Sequence, residues 1–146
     1  MKNRYKPILT GLAIFATLAH QNAFSMIGES EAQMNKRSGS PVSTTPEGFK
    51  VYRNGVLEIH AHYTDGIVDN MVYIANKNTS FSEHIISEIL CMESSGVAWI
   101  VSKNSKPNFR MYSTADGKLH AALYGGIKLT IFTDQFLKQR EEQLKK

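Results

Sequence analysis

Residues 57–75 read LEIHAHYTDGIVDNMVYIA, and the way this stretch folds decides the architecture of the chain. Asp65-Gly66 sits at its centre, with apolar residues alternating on either side. Asp-Gly is among the commonest dipeptides of type I′ hairpin turns, because both central positions need positive φ. A two-residue loop there pairs Thr64 with Ile67, and then Tyr63 with Val68, His62 with Asp69 and Ile59 with Val72. Alternation gathers Leu57, Ile59, Ala61, Tyr63, Val68, Val72 and Ile74 on one face. Glu58, His60, His62, Asp69, Met71 and Tyr73 fall on the other. One apolar face and one mixed face predict a half-buried antiparallel sheet.

Working outward, Asn54-Gly55 supplies a second hairpin signal, so three strands run from Phe49 to the region of Ile74. A helix follows. Ser80 with Glu83 fits the Ser-x-x-Glu capping box, and Ser95-Gly96 gives the C-terminal stop. At roughly 100° per residue, Phe81, Ile85, Ile86, Ile89, Leu90 and Met92 share one arc, which should pack on the sheet. Strands return with Val97–Val101, Phe109–Tyr112, Leu119–Tyr124 and Ile127–Thr133, punctuated by Asp116-Gly117 and Gly125-Gly126. Residues 134–146 are helical in propensity but mostly charged, anchored by Phe136, Leu137 and Leu144, and their end is expected to fray. The expected fold is α+β: an antiparallel sheet of about six to seven strands curled against one central helix, with a short C-terminal helix.

The order of these features resembles that of short exported bacterial proteins of unassigned function. The residues that carry the likeness are Gly96 and Trp99, then Arg110, Asp116-Gly117, and Ala122 with Tyr124. It spans Phe49 to Phe136, rests on turn and core residues, and implies the fold without an activity.

The N-terminus points to export. Lys2, Arg4 and Lys6 precede the uncharged run ILTGLAIFATLA at Ile8–Ala19, and Ala23-Phe24-Ser25 offers small residues at the positions a signal peptidase reads. Residues 1–25 are expected to be a signal peptide, cleaved before Met26. The run is shorter than the roughly 20 residues a bilayer span needs, so no stable span is expected after cleavage. Residues 26–48 are rich in Ser, Thr, Gly, Pro and charge, and are expected to form a flexible leader before a single domain at 49–146. The whole chain carries 17 Lys and Arg against 13 Asp and Glu. Removing the three bases of the signal peptide leaves 14 against 13, a net charge of +1. The remaining bases are scattered rather than clustered, which argues against a nucleic-acid partner. The one cysteine, Cys91, has no partner for an internal disulfide and reads as a small hydrophobe, a free thiol or an intermolecular link.

Three sets of residues carry candidate chemistry. His60 and His62 alternate on one strand, with Glu58 on the same face and Asp69 expected opposite His62. Such a patch could hold zinc, nickel or copper, or be a surface His–Asp pair without metal. Cys91 lies on the helix stripe of His84 and Glu88, but His84 is two turns away, beyond the reach of a base for a thiol nucleophile. His120 is then the remaining candidate base, and a partly buried core histidine is the alternative. Met71 and Tyr73, on the mixed face, are candidate interface residues. Phosphate-loop, G-x-S-x-G and H-E-x-x-H motifs are missing, turn chemistry accounts for Asp65 and Asp116, and capping accounts for both Glu83 and the sequon Asn78-Thr79-Ser80. Trp99, on the strand after the helix, is expected to be the most damaging core truncation. The sequence thus reads as an exported, periplasmic or secreted, non-enzymatic module with no resident cofactor, binding an envelope or extracellular protein or ligand. A zinc- or copper-binding module built on His60 and His62, and a thiol-dependent role for Cys91, are the alternatives.

Overall fold

The computed structural model describes residues 25–145 apart from position 56, so the expected signal peptide lies outside the described residues except for Ser25. In chain order the elements are α1 (Glu31–Ser38), β1 (Ser43–Thr44), β2 (Lys50–Asn54), β3 (Leu57–Thr64) and β4 (Ile67–Ala75). They continue with α2 (Glu83–Glu93), β5 (Trp99–Val101), β6 (Phe109–Thr114), β7 (Leu119–Tyr124), β8 (Lys128–Thr133) and α3 (Asp134–Leu144).

The Asp65-Gly66 turn forms as its residues require. Both take positive φ, 52° and 77°, and Thr64 pairs with Ile67. The pairing then slips between His62 and Tyr63: Tyr63 faces Val68, but His62 faces Asn70. Asp69 is therefore the extra residue of a β-bulge. Because side chains alternate, a slip of one residue exchanges the faces of everything beyond it. Met71 now lies opposite Ala61 and Tyr73 opposite Ile59. Both are core side chains, 0% and 1% exposed, and not the interface residues the regular register predicted. Val72, opposite His60, moves to the outer face.

The eight strands form one sheet in the order β1-β2-β3-β4-β8-β7-β6-β5, antiparallel at every pairing. Each half of the sheet is a meander of four consecutive strands, and β4 and β8 join the halves. The chain passes from β4 at this seam to β5 at the far edge by way of α2. That step crosses four strand spacings, about 19 Å. Helix α2 begins beside β6, where Glu83 pairs with Arg110, and ends against β4, where Glu93 accepts from the Tyr73 hydroxyl.

The cap of α2 is Ser82, whose side chain accepts from the backbone N–H of Ile85, and not Ser80. Glu83 consequently does no capping-box work and pairs instead with Arg110 on β6. The stop is where the sequence placed it, with Ser95 and Gly96 at φ 52° and 86°. Ile86, Ile89 and Leu90 pack into a core with Ile59, Met71, Tyr73, Leu123, Leu129 and Ile131. Each such side chain contributes about 1.5–3 kcal/mol when withdrawn from water.

Residues 26–48 depart most from expectation. Ser30 and Gln33 make a reciprocal capping box, and α1 follows. Met34, 0% exposed, and Met26 belong to the core. Gly28 and Glu29 exchange backbone hydrogen bonds with Val68, at 2.8 and 2.9 Å. The segment straps the inner face beside α2, and Asn35 accepts from the Tyr52 hydroxyl at 3.1 Å. The fold class is α+β as read, with eight strands and with two helices rather than one on the inner face. Helix α3 is the expected short C-terminal helix. It lies on the outer face, where the Phe136 ring meets His62 and Phe132 at 5.3 and 6.2 Å between ring centroids.

Candidate functional site

The four candidate metal ligands form two separate acid–imidazole pairs. His60 Nε2 lies 2.6 Å from Glu58 Oε1, and His62 Nδ1 lies 2.7 Å from Asp69 Oδ1. The bulge turns Asp69 toward His62, and Asp69 Oδ2 accepts from Thr64 Oγ1 at 2.6 Å. The hydrogen bond from His60 holds the Glu58 carboxyl below the usual carboxylate range. His62 is in addition flanked by the rings of Phe49 and Phe136, at 5.2 and 5.3 Å. Its place is in an aromatic cluster that seats α3. Among the described residues no three His, Cys, Asp or Glu side chains converge in a way that could hold a metal ion.

Cys91 is an exposed free thiol on α2. His84 on the same stripe faces Glu88 at 3.4 Å. The candidate base His120 stands on the outer face of the sheet, stacked on Phe132 at 5.8 Å, with Nε2 3.4 Å from Asp134 Oδ1. Since α2 packs on the inner face, the sheet lies between Cys91 and His120, and they form no nucleophile–base pair.

A cleft of about 220 Å³ opens at the start of α2, lined by Ser80, Phe81, Glu83, Asn108, Arg110 and Gly126 among others. Arg110 reaches both Glu83 oxygens, at 2.7 and 2.9 Å, and these bonds hold Glu83 below its ordinary range. Its guanidinium is thereby committed to Glu83, so the cleft offers no free cation from Arg110.

The two edges of the sheet differ in kind. The β1 edge presents Ser43 and Thr44. At the β5 edge, Ile100 and Val101 are 60% and 54% exposed. Ala98 O accepts from Ala115 N, and Ser102 N donates to Met111 O. Alternation in an antiparallel ladder therefore turns the N–H and C=O groups of Trp99 and Val101 away from β6, toward the open side. Ile100 faces Ser113, which places it on the outer face diagonally from Met111. Phe109 and Tyr124 continue that face, their rings 4.9 Å apart. Met111 and Tyr124 are exposed, and Lys128 Nζ stands 5.9 Å over the Tyr124 ring. Lys103 and Lys106 are exposed in the loop that leaves β5.

A further group escaped the sequence reading. Glu93, the last residue of α2, is 1% exposed. Its carboxylate accepts from Met26 N, Ile27 N and Ser25 Oγ at 3.0–3.1 Å, and from the Tyr73 hydroxyl. Burial pushes this carboxyl above its ordinary value against the pull of those donors. The signal was present, since Glu93 stands seven residues after Ile86 on the apolar arc, where a charge is out of pattern.

No protein-family model, curated protein or solved structure matches the chain. No helix among the described residues is long and apolar enough to cross a membrane.

Proposed function

We propose that this chain is an exported, non-enzymatic binding module that recognises an extended segment of an envelope or extracellular protein along its β5 edge. The contrast between the two edges carries the reading. One edge is the two-residue polar strand β1 with a single exposed apolar residue, Val42, ahead of it, while the other leaves backbone donors and acceptors of Trp99 and Val101 open beside exposed Ile100, Val101, Met111 and Tyr124. An incoming strand gains main-chain hydrogen bonds from such an edge and specificity from side chains on the adjoining face. Proteins otherwise blunt apolar edges, because they invite unwanted pairing. Lys103 and Lys106, in the loop that leaves β5, favour a segment that carries acidic residues. The placement of Cys91 and His120 on opposite sides of the sheet favours binding over thiol chemistry.

The test is capture by the immobilised protein from envelope extracts, compared with an Ile100→Glu/Met111→Glu variant whose circular dichroism and melting match the parent. A defined partner captured by the parent and lost by the variant supports the reading. Equal capture by both, or self-association through the same edge, overturns it. Substrate turnover abolished by a point change would place the protein among enzymes.

A further inference from the structure

The backbone N–H of Met26 points at a buried carboxylate, and Met26 is also the residue that signal-peptide cleavage would leave first. We propose that Glu93 is the receptor for the new amino terminus: processing between Ser25 and Met26 places an α-ammonium against Glu93 and locks the N-terminal strap onto the core. The proposal rests on the export reading of residues 1–25 and adds a structural role for the cut end.

The geometry is already in place. Met26 N lies 3.0 Å from Glu93 Oε2, and Met26 is itself buried. Ile27 N donates to the same oxygen at 3.1 Å, and the Tyr73 hydroxyl takes the other oxygen. The four donors on this carboxylate are all uncharged in the uncut chain. A buried carboxylate with neutral donors alone is costly to ionise, and an opposite charge in good geometry offsets that cost. Hydrolysis supplies one. Water adds across the Ser25–Met26 bond, Ser25 departs as a carboxylate, and the amine released on Met26 takes up a proton near neutral pH, where α-amino groups are still protonated in good part. The N–H that donated as an amide then donates as an ammonium at the same site. Ser25 Oγ, 3.0 Å from Oε2 in the uncut chain, leaves with the signal peptide and opens a place for a second ammonium proton. The strap around the cut end is fixed independently by the backbone bonds of Gly28 and Glu29 to Val68. The cut therefore leaves Met26 held where it stands.

The experiment begins with the full chain expressed through its own leader in an exporting bacterium, with intact mass read on the product. A product starting at Met26 is expected. Its melting is compared with that of a chain beginning at Ser25, each with and without Glu93→Gln. The Met26 chain should melt higher by about 5 °C or more, and Glu93→Gln should erase the difference. A Met26 product with no such gap, or a gap that survives Glu93→Gln, overturns the receptor role while leaving export intact. An exported product that begins elsewhere overturns the proposal, and failure of export overturns the export reading with it. Should Glu93→Gln not fold, the wild-type α-amine decides: it should resist acylation at pH 7.5 and react on unfolding. Prompt reaction in the native protein overturns the proposal.

Discussion

Trp99 was expected to sit deep in the core, and it is instead half-buried at the sheet edge, packed against the cluster, with its indole N–H donating to Leu90 O at 2.7 Å. Leu90 O also accepts from the N–H of the C-cap residue Ser94 at 3.0 Å, so the indole is its second donor. Trp99→Ala should lower stability by about 3 kcal/mol, the low end for core tryptophans. Trp99→Phe, which keeps most of the packing and loses the bond, should cost about 1 kcal/mol; urea unfolding separates the two. Glu93 gives a pH signature. In a chain that still carries residues ahead of Met26, burial holds its carboxyl above the ordinary 4.5. The native state then binds more protons than the unfolded chain, so this contribution to stability is full below about pH 4.5 and is lost as pH rises through the folded value. Glu58 has the opposite sign, its stabilisation being lost as pH falls, because His60 lowers it. In urea melts across pH 4–8, Glu93→Gln should remove the downward slope and leave the acid limb. Glu93 was hard to recognise in the sequence because a lone glutamate at a helix end reads as solvated. Its partners are backbone amides 66 and 67 positions away, which no local pattern announces.

At the scale of elements, turn chemistry was legible and pairing defects were not. Asp65-Gly66, Ser95-Gly96 and the α2 arc follow from residue identity, whereas the bulge at Asp69 leaves no trace in a sequence that alternates as well without it. That one residue decided the fate of Met71 and Tyr73. The cap of α2 was misplaced because Ser80 and Ser82 both precede the helix, and the Ser80–Glu83 spacing favours the wrong one. Ser82→Ala should cost about 1 kcal/mol in thermal or urea unfolding, and Ser80→Ala should stay within about 0.5 kcal/mol of the parent. The strap at residues 26–48 was missed because its apolar anchors, Met26, Ile27 and Met34, are few and follow no period. Burial against strands distant in sequence orders it. Limited proteolysis should spare residues 26–38 under conditions that cut the exposed end of α3. Met34→Ala should expose the strap to cleavage at a cost of about 2–5 kcal/mol.

Across the whole molecule, fold class, antiparallel pairing and the tail helix could be read from the chain, because alternation and turn dipeptides are local signals. The strand order could not, since nothing local shows that β8 enters between β4 and β7. The open β5 edge was equally hidden: Ile100 and Val101 look like core residues until the topology leaves β5 without an outer neighbour. The seam also has a consequence in time. The strand that unites the two meanders is the last to be made, ending at Thr133. A chain passing through a membrane N-terminus first can form the β1–β4 meander early, but β4 has no partner on its other side until nearly the whole chain has crossed. Pairings so distant in sequence are slow to close. Under the proposed export, the two meanders would join only after β8 had crossed.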